Sequence, residues 1–150
     1  MEPTGMARAH NEIIIVDDSS LDAELLENAL RLAGIGNPIR HIPSCVRAMA
    51  HLRSPENTNV SGPRVIFIDL KLPCMDGYEF LTWIKSDPSF KDFLLVGTSG
   101  YRETGYIRRA YELGASSFIP KPCGTGDLKT LVSTFPQFWN VTPADVSDAV

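Results

Sequence analysis

The chain has 150 residues, 43% of them hydrophobic and 21% charged, which is typical of one globular domain with a sizeable core. A net charge of -4 without a long basic run excludes the usual electrostatic footprint for nucleic acid or an anionic membrane surface. Three cysteines without metal-ligand spacing favour reduced thiols, and no apolar run is long enough to span a membrane. We therefore expect a cytoplasmic protein.

The first third of the chain predicts a strand, a helix, a weaker strand and a second helix. Residues 1–11 form a polar, aperiodic leader that we expect to be disordered. The β-branched run 13–16 predicts a buried strand that ends at Asp17 and Asp18. A helix with a serine cap and a closing glycine follows, and then a less buried edge strand at 39–42. Helical spacing predicts two apolar faces: Leu21, Leu25, Leu26, Ala29, Leu32 and Ala33 in the first helix, and Val46, Met49, Ala50 and Leu52 in the second.

The third strand has the strongest pattern, and it follows a loop at 54–63 that is rich in proline, serine, asparagine and glycine. Residues 65–68 are β-branched or aromatic without a polar break, and the run stops at Asp69. This is the pattern of a parallel strand that is buried on both faces and delivers one polar side chain to its rim. A proline and an Asp-Gly turn then lead into a third helix at 78–86.

The last part of the chain predicts two further strands that end in polar groups. Thr98 follows the fourth strand in a small, hydroxylated segment, and Lys121 follows the fifth strand between two prolines. Phe135, Phe138 and Trp139 have two open interpretations, since such a cluster either completes the core or forms a dimer face. The predicted elements are a strand at 93–96, a helix at 104–113, a strand at 117–119 and a helix at 127–138.

Strand patterns that alternate with helical patterns five times predict an α/β fold, a parallel sheet covered by helices on both faces. In such open sheets the ligand site lies beyond the carboxyl ends of the strands, where the strand order reverses. We therefore expect the polar residues at the strand ends to meet at this rim. They are Asp17, Asp18, Asp69, Thr98 and Lys121.

This set of side chains suits phosphoryl chemistry. Three carboxylates in one pocket repel each other, and a hard divalent cation with oxygen ligands, most suitably Mg²⁺, keeps them ionised. An incoming phosphoryl group would share its oxygens with Mg²⁺, while Lys121 and the Thr98 hydroxyl neutralise and hydrogen-bond the others. Asp69 would then act as the nucleophile and form an acyl phosphate.

Taken together, these residues resemble the receiver domains of bacterial two-component response regulators. The resemblance extends over residues 12–139 and implies a flavodoxin-like, doubly wound sheet with strand order 2-1-3-4-5 and five helices. It also implies that a sensor histidine kinase phosphorylates Asp69, so that the protein is a switch and not an enzyme. The motifs that carry it are Asp17-Asp18, the stretch Asp69-Leu-Lys-Leu-Pro-Cys-Met-Asp-Gly77, Thr98-Ser99 and Lys121-Pro122.

The same resemblance implies a ligand set for the cation. Mg²⁺ would be held by Asp18, Asp69 and the backbone carbonyl of Lys71, with help from Asp17. The peptide bond between Lys121 and Pro122 would be cis.

Further residues are implied to tune and transmit the switch. Lys71, two residues past the acceptor, and Gly100, which follows Ser99 beyond the hydroxyl, lie where this family controls the access of water to the acyl phosphate. We expect Lys71 to alter the phosphoryl lifetime. Phe118 occupies the aromatic switch position, and its rotation as Thr98 moves would change the face formed by helix four, strand five and helix five.

A narrower resemblance connects the chain with small stand-alone regulators that pair with bacterial phytochrome kinases. It rests on the Asp-Asp-Ser-Ser start, the long segment between strands two and three, and the ending at 127–139. It implies a bacteriophytochrome kinase as the phosphoryl donor, a homodimer, and an unknown downstream protein as the target. The receiver domain is expected to cover residues 12–140, with 141–150 as a short tail.

Three alternatives remain open. A small-molecule phosphatase with an aspartyl nucleophile is disfavoured, because Lys71 stands where such enzymes of the dehalogenase type place a second Asp. A flavin or dinucleotide binder is disfavoured because the loop after the first strand has no glycine fingerprint. A receiver fold that binds its partners without phosphorylation is the third alternative.

Overall fold

The computed structural model describes residues 12–54, 64–71, 77–100 and 104–141, and the statements below refer to these ranges. The predicted leader 1–11, most of the loop at 54–63, the turn before the third helix and the tail beyond 141 lie outside the described residues. The five strands are β1 Ile13–Val16, β2 Ile39–Ile42, β3 Val65–Asp69, β4 Leu94–Ser99 and β5 Ser117–Pro120.

The five strands form one sheet in which every neighbouring pair is parallel. Their order is β2-β1-β3-β4-β5. β2 lies at an edge and exposes its central residues, as its weak alternation predicts. This arrangement confirms the α/β class and the strand order 2-1-3-4-5.

Five α-helices alternate with the strands, also as predicted. None of those in the described part of the chain combines the length and the apolar character needed to cross a membrane. Two short 3₁₀ turns, Pro88–Phe90 and Pro136–Phe138, follow the third and fifth helices. The α-helices are α1 Ser20–Leu32, α2 Cys45–Arg53, α3 Gly77–Lys85, α4 Thr104–Glu112 and α5 Thr125–Thr134.

Helices cover both faces of the sheet. Alternate residues of β1 point to opposite sides, so that Ile14 packs in one buried cluster with residues of α2, α3 and α4. Ile13 and Ile15 pack in the other cluster with residues of α1 and α5. Because all of β1 and β3 is buried, these two central strands hold the carboxylates that follow them in fixed positions.

Two element boundaries differ from the prediction by three residues or more. β4 does not stop at Val96 but continues to Ser99, because its small residues still pair with β5, with Thr98 opposite Ile119. α5 ends at Thr134 rather than continuing to Phe138, because Pro136 has no amide hydrogen to donate.

The predicted apolar face of α1 is wrong in part. Leu21, Leu25 and Leu32 are 62%, 47% and 78% exposed. The core face consists of Ala23, Leu26, Ala29 and Leu30. Two apolar stripes with helical spacing run along this helix, and periodicity alone does not tell which one faces the sheet. The same ambiguity applies to α2, where Val46 is 58% exposed.

The C-terminal aromatic residues belong to the core. Phe138 and Trp139 are each 7% exposed, and the Trp139 ring lies 6.4 Å from the Phe67 ring. The fully buried Asn37 anchors this segment, because its side chain donates to the Phe138 carbonyl at 2.9 Å and accepts from the Asn140 amide at 2.7 Å. Of the two interpretations of the cluster, completion of the core is therefore the correct one.

Candidate functional site

Three carboxylates meet at the carboxyl edge of the sheet. β1 pairs with β3 so that Val16 lies opposite Ile68, which places Asp17 and Asp69 side by side at the strand ends. Asp17 and Asp69 are buried, whereas Asp18 is exposed. One oxygen from each of the three lies within 4.8 Å of the others. The acidic cluster that the sequence predicts is therefore formed.

The Lys121 side chain contacts three carboxylates, two of which belong to this cluster. Its Nζ is 2.8 Å from Asp17 Oδ2, 3.0 Å from Asp22 Oδ2 and 3.3 Å from Asp69 Oδ2. The Lys121 amide donates to the Ser99 carbonyl at 2.9 Å, which ties the end of β5 to the end of β4. The peptide bond that follows, Lys121-Pro122, is cis, as the resemblance implies.

Burial and ion pairing act in opposite directions on these groups. Burial alone would lower the pKa of Lys121, but hydrogen bonds to Asp17 and Asp22 and the charge of Asp69 outweigh it and raise that pKa above its usual range. For Asp17, burial dominates and raises the pKa, although hydrogen bonds from Lys121 and the Ser19 amide oppose the rise. One ammonium thus offsets only part of the cost of burying the Asp17 carboxylate.

Thr98 and Phe118 occupy neighbouring strands beside the acceptor. Thr98 pairs in register with Asp69, is 3% exposed, and its hydroxyl donates to the Ile68 carbonyl at 3.4 Å. On β5, Phe118 lies opposite Gly97 of β4. Phe118 is only partly buried, and it packs against the buried cluster on the α2, α3 and α4 side of the sheet. The two proposed switch residues are therefore one strand apart.

A cavity of about 390 Å³ opens over Asp69. Lys71 is exposed at its rim, and the Lys71 amide donates to Asp69 Oδ1 at 3.0 Å. This bond and the Lys121 contact hold the two Asp69 oxygens from different sides. The lining residues are Asp22, Asp69, Lys71, Ser99, Gly100, Lys121 and Pro122.

Two residues at the site were missed by the sequence analysis. Asp22 reaches Lys121 from the first turn of α1, and its spacing of four residues from Asp18 was an available signal. His41 Nε2 lies 2.7 Å from the Asp17 backbone carbonyl, which can only accept, so this nitrogen donates. The position of His41 near the end of β2, next to β1, was its only signal. The bond fixes the loop that carries the acidic pair.

The donor set fits a divalent metal ion. Its atoms are carboxylate oxygens, which hard cations prefer, and they are already gathered at the distance that shared coordination requires. Two of the three carboxylates are buried with incomplete charge compensation, so a cation would stabilise them. The chemistry of the set suits Mg²⁺ and equally suits Mn²⁺.

Replacing Lys121 with methionine is expected to lower the free energy of unfolding by about 2 kcal/mol in chelator, because buried carboxylates lose their counter-charge. Added Mg²⁺ should restore a large part of this loss, because it supplies the missing positive charge. Urea denaturation with and without Mg²⁺ measures both effects. Lys129→Met, at an exposed position on α5, is the matched control. Equal unfolding midpoints for Lys121→Met and Lys129→Met in chelator would contradict the expectation.

The sequence matches a known family model over most of its length. Residues 13–133 match the response regulator receiver domain. The response regulator Rcp1 of Synechocystis sp. is 32% identical over 129 residues, which cover 85% of this chain and 87% of that protein.

Solved structures give the same result. The Mn²⁺-bound form of Rcp1 is similar with a TM-score of 0.66 and 28% identity, covering 84% of this chain and 94% of that chain. The phosphorylated cyanobacterial phytochrome response regulator RcpA has a TM-score of 0.68 and 33% identity, covering 87% and 94%. The bacteriophytochrome response regulator AtBRR has a TM-score of 0.73 and 27% identity, covering 88% and 96%. With its fold, its rim of acids and these matches, the chain belongs to the response regulator receiver domain family.

Proposed function

We propose that this protein is a phosphorylation-controlled switch that accepts a phosphoryl group on Asp69 and signals through protein contacts. The observation that carries the proposal is the placement of Asp69, whose two oxygens are held by the Lys71 amide and the Lys121 ammonium at the floor of an open cavity. A carboxylate in this position is a nucleophile with its charge-stabilising partners already in place.

The transfer forms a bond between an Asp69 oxygen and phosphorus and breaks the bond from phosphorus to the donor. Lys121 stays protonated and pairs with the phosphoryl oxygens, and the Thr98 hydroxyl turns from the Ile68 carbonyl to donate to them. Asp17, Asp18 and Asp69, with the Lys71 backbone carbonyl, would hold Mg²⁺. The bound ion would neutralise charge on the transferring group. Slow hydrolysis of the acyl phosphate, without turnover of other substrates, would return the switch to its resting state.

The direct test is incubation with acetyl phosphate, with Mg²⁺ or with chelator, followed by intact mass and peptide mapping. We expect one phosphoryl adduct, formed only with Mg²⁺ and located on Asp69. Steady release of phosphate from a phosphate monoester would support the phosphatase alternative instead. A protein that takes no adduct but binds its partners would support the phosphorylation-independent module.

Exposed leucines next to the site support a protein donor, a sensor histidine kinase. Leu25 lines a small recess together with Lys121 and Pro122, and Leu21 is exposed one turn away on the same helix. By likeness to RcpA and AtBRR, a bacteriophytochrome kinase is the donor that we propose. Apolar side chains beside the cavity would hold the donor so that its phosphohistidine reaches Asp69.

A Leu25→Gln variant tests this docking surface. With a phytochrome-type kinase that phosphorylates the wild type, we expect phosphotransfer to be slower by about tenfold, since a buried apolar contact is lost. Phosphorylation by acetyl phosphate should stay within about twofold of the wild type, because it needs no docking. Leu32→Gln is the matched control, because Leu32 is also exposed but lies at the far end of α1 from the cavity. Equal slowing with both donors would mean that Leu25 acts on the site itself.

Lys71 is expected to lengthen the life of the acyl phosphate. Its side chain is exposed at the edge of the cavity, where a cation can pair with phosphoryl oxygens or obstruct the attacking water. Lys71→Ala should therefore dephosphorylate several-fold faster, by roughly the effect of one partly screened charge pair. Decay of the adduct after removal of the donor measures this, with Lys129→Ala as the control. An unchanged decay rate would refute the assignment.

The output that we propose is a changed binding face at α4, β5 and α5. Phe118 is only partly buried, so its ring can rotate inward as Thr98 moves without disrupting the packing of the buried core. The partners are an unknown downstream protein and a second copy of this chain. The cytoplasm is the compartment that we propose, because the three cysteines of the sequence lack metal-ligand spacing and suit a reducing environment. Sedimentation with and without beryllofluoride tests the homodimer, and a strict monomer in both states would exclude it.

A further inference from the structure

Asp22 is a carboxylate at the site that the proposed transfer chemistry does not use. We propose that Asp22 is a positioning residue that holds the Lys121 ammonium away from the incoming phosphoryl group and so slows phosphoryl capture. This inference rests on the proposed function of Asp69 as the acceptor.

The Lys121 ammonium is enclosed by carboxylates. Lys121 has three N–H donors, and three carboxylates surround its Nζ within 3.3 Å. A phosphoryl oxygen that arrives at Asp69 therefore meets an ammonium whose three N–H groups already have carboxylate acceptors. It has to replace a carboxylate that is already in contact. Asp22 lies closer to the ammonium than Asp69 does, at 3.0 Å against 3.3 Å.

Asp22 differs from the other two carboxylate partners of Lys121. Asp17 and Asp69 belong to the oxygen cluster that suits a divalent cation, and Asp22 does not. A cation bound by Asp17 and Asp69 would neutralise part of their charge and weaken their ion pairs with Lys121. Asp22 would then be the main carboxylate partner of Lys121. Asp22 also lines the cavity over Asp69, so its contact with Lys121 faces the space that an incoming phosphoryl group would enter.

Asp22 is held in place by hydrogen bonds that lead back to the acidic loop after β1. Its amide donates to the Ser19 hydroxyl at 3.1 Å, and the Ser19 amide donates to Asp17 Oδ1 at 2.9 Å. The first turn of α1 therefore presents Asp22 to Lys121 from a fixed backbone position. An exposed ion pair between two free side chains would lack this fixed geometry.

The test compares three variants of α1 in the full chain. Asp22→Asn removes the charge, Asp22→Glu keeps it, and Glu24→Gln removes a charge from an exposed position in the same turn. With acetyl phosphate and saturating Mg²⁺, we expect Asp22→Asn to be phosphorylated about 3- to 10-fold faster, the effect of one partly screened charge at contact distance. Asp22→Glu should remain close to the wild type, and Glu24→Gln within about twofold of it.

Binding of beryllofluoride gives a second readout that requires no transfer. Asp22→Asn should bind this phosphoryl mimic several-fold more tightly, and a purely structural role of Asp22 in the helix would not produce that change. In a Lys121→Met background the same substitution should alter the dissociation constant by less than about twofold, because the residue acts through Lys121. An equal gain in that background would show a through-space effect and would overturn the proposal.

Failure of this inference is distinguishable from failure of the proposed function. If the wild type takes up no phosphoryl group, the function is wrong. If the wild type is phosphorylated and Asp22→Asn is equally fast or slower, only the role of Asp22 is wrong.

Discussion

Asp69→Asn is expected to abolish the Mg²⁺-dependent phosphoryl adduct, while the fold is kept. An amide oxygen is a far weaker nucleophile than a carboxylate, and the acyl phosphate would have no stable counterpart on asparagine. The same change removes one of three carboxylates that repel each other, two of which are buried. In chelator the variant should therefore unfold at the same urea concentration as the wild type or at a higher one.

Intact mass after incubation with acetyl phosphate measures the adduct, and urea denaturation followed by circular dichroism measures stability. Asp92→Asn is the matched control, since it makes the same chemical change at an exposed position outside the cavity over Asp69. It should be phosphorylated like the wild type. A full adduct on Asp69→Asn would move the acceptor to another residue. Loss of the adduct together with loss of the fold would show that Asp69 is structural.

The fold and most of the rim could be predicted because they depend on local patterns. Residues 65–68 are apolar without a break, which is the pattern of a strand buried on both faces. Strand ends in a parallel sheet share one edge, so a list of the residues after each strand already contains Asp17, Asp69 and Lys121. The structure adds distances to this set, and it adds Asp22 and His41 to the site.

What could not be predicted depends on contacts between elements that are distant in sequence. Asp22 and Lys121 are 99 positions apart. They meet because α1 packs with α5, which follows Lys121, in one cluster on the same face of the sheet. The face of α1 that packs on the sheet depends on that same neighbour, so helical spacing alone predicts a core position for Leu21 and Leu25, which are exposed. The early end predicted for β4 has a different cause. Gly97 and Thr98 resemble a loop by composition, yet pairing with β5 keeps them in the sheet.

Gly77→Ala is expected to be the most destabilising single substitution at the site, at about 2–4 kcal/mol. A Cβ at Gly77 would lie 2.5 Å from the Asp69 carbonyl oxygen and 2.7 Å from the Leu70 Cα. These are backbone atoms at the end of a fully buried strand, so they cannot rotate away as the end of a side chain would. The start of α3 would have to move away from β3, and the hydrogen bond from the Gly77 amide to the Leu70 carbonyl would be lost.

The same substitution elsewhere in the chain should have the opposite sign. A Cβ at Gly126, in the first turn of α5, meets no atom within 4 Å. Gly126→Ala should therefore raise the free energy of unfolding by about 0.5 kcal/mol, because alanine restricts the unfolded chain and favours the helix. Urea denaturation of both variants gives the two values.

The contact at Gly77 also connects stability with chemistry. The atom that the new methyl group would meet first belongs to Asp69, so the displacement would move the acceptor relative to Lys121 and the Lys71 amide. Phosphorylation of the folded fraction of Gly77→Ala should therefore be slower, whereas Gly126→Ala should react like the wild type. If Gly77→Ala unfolds at the wild-type urea concentration and is phosphorylated normally, then the start of α3 can move at little cost in free energy. The position of Asp69 then does not depend on its close approach to Gly77.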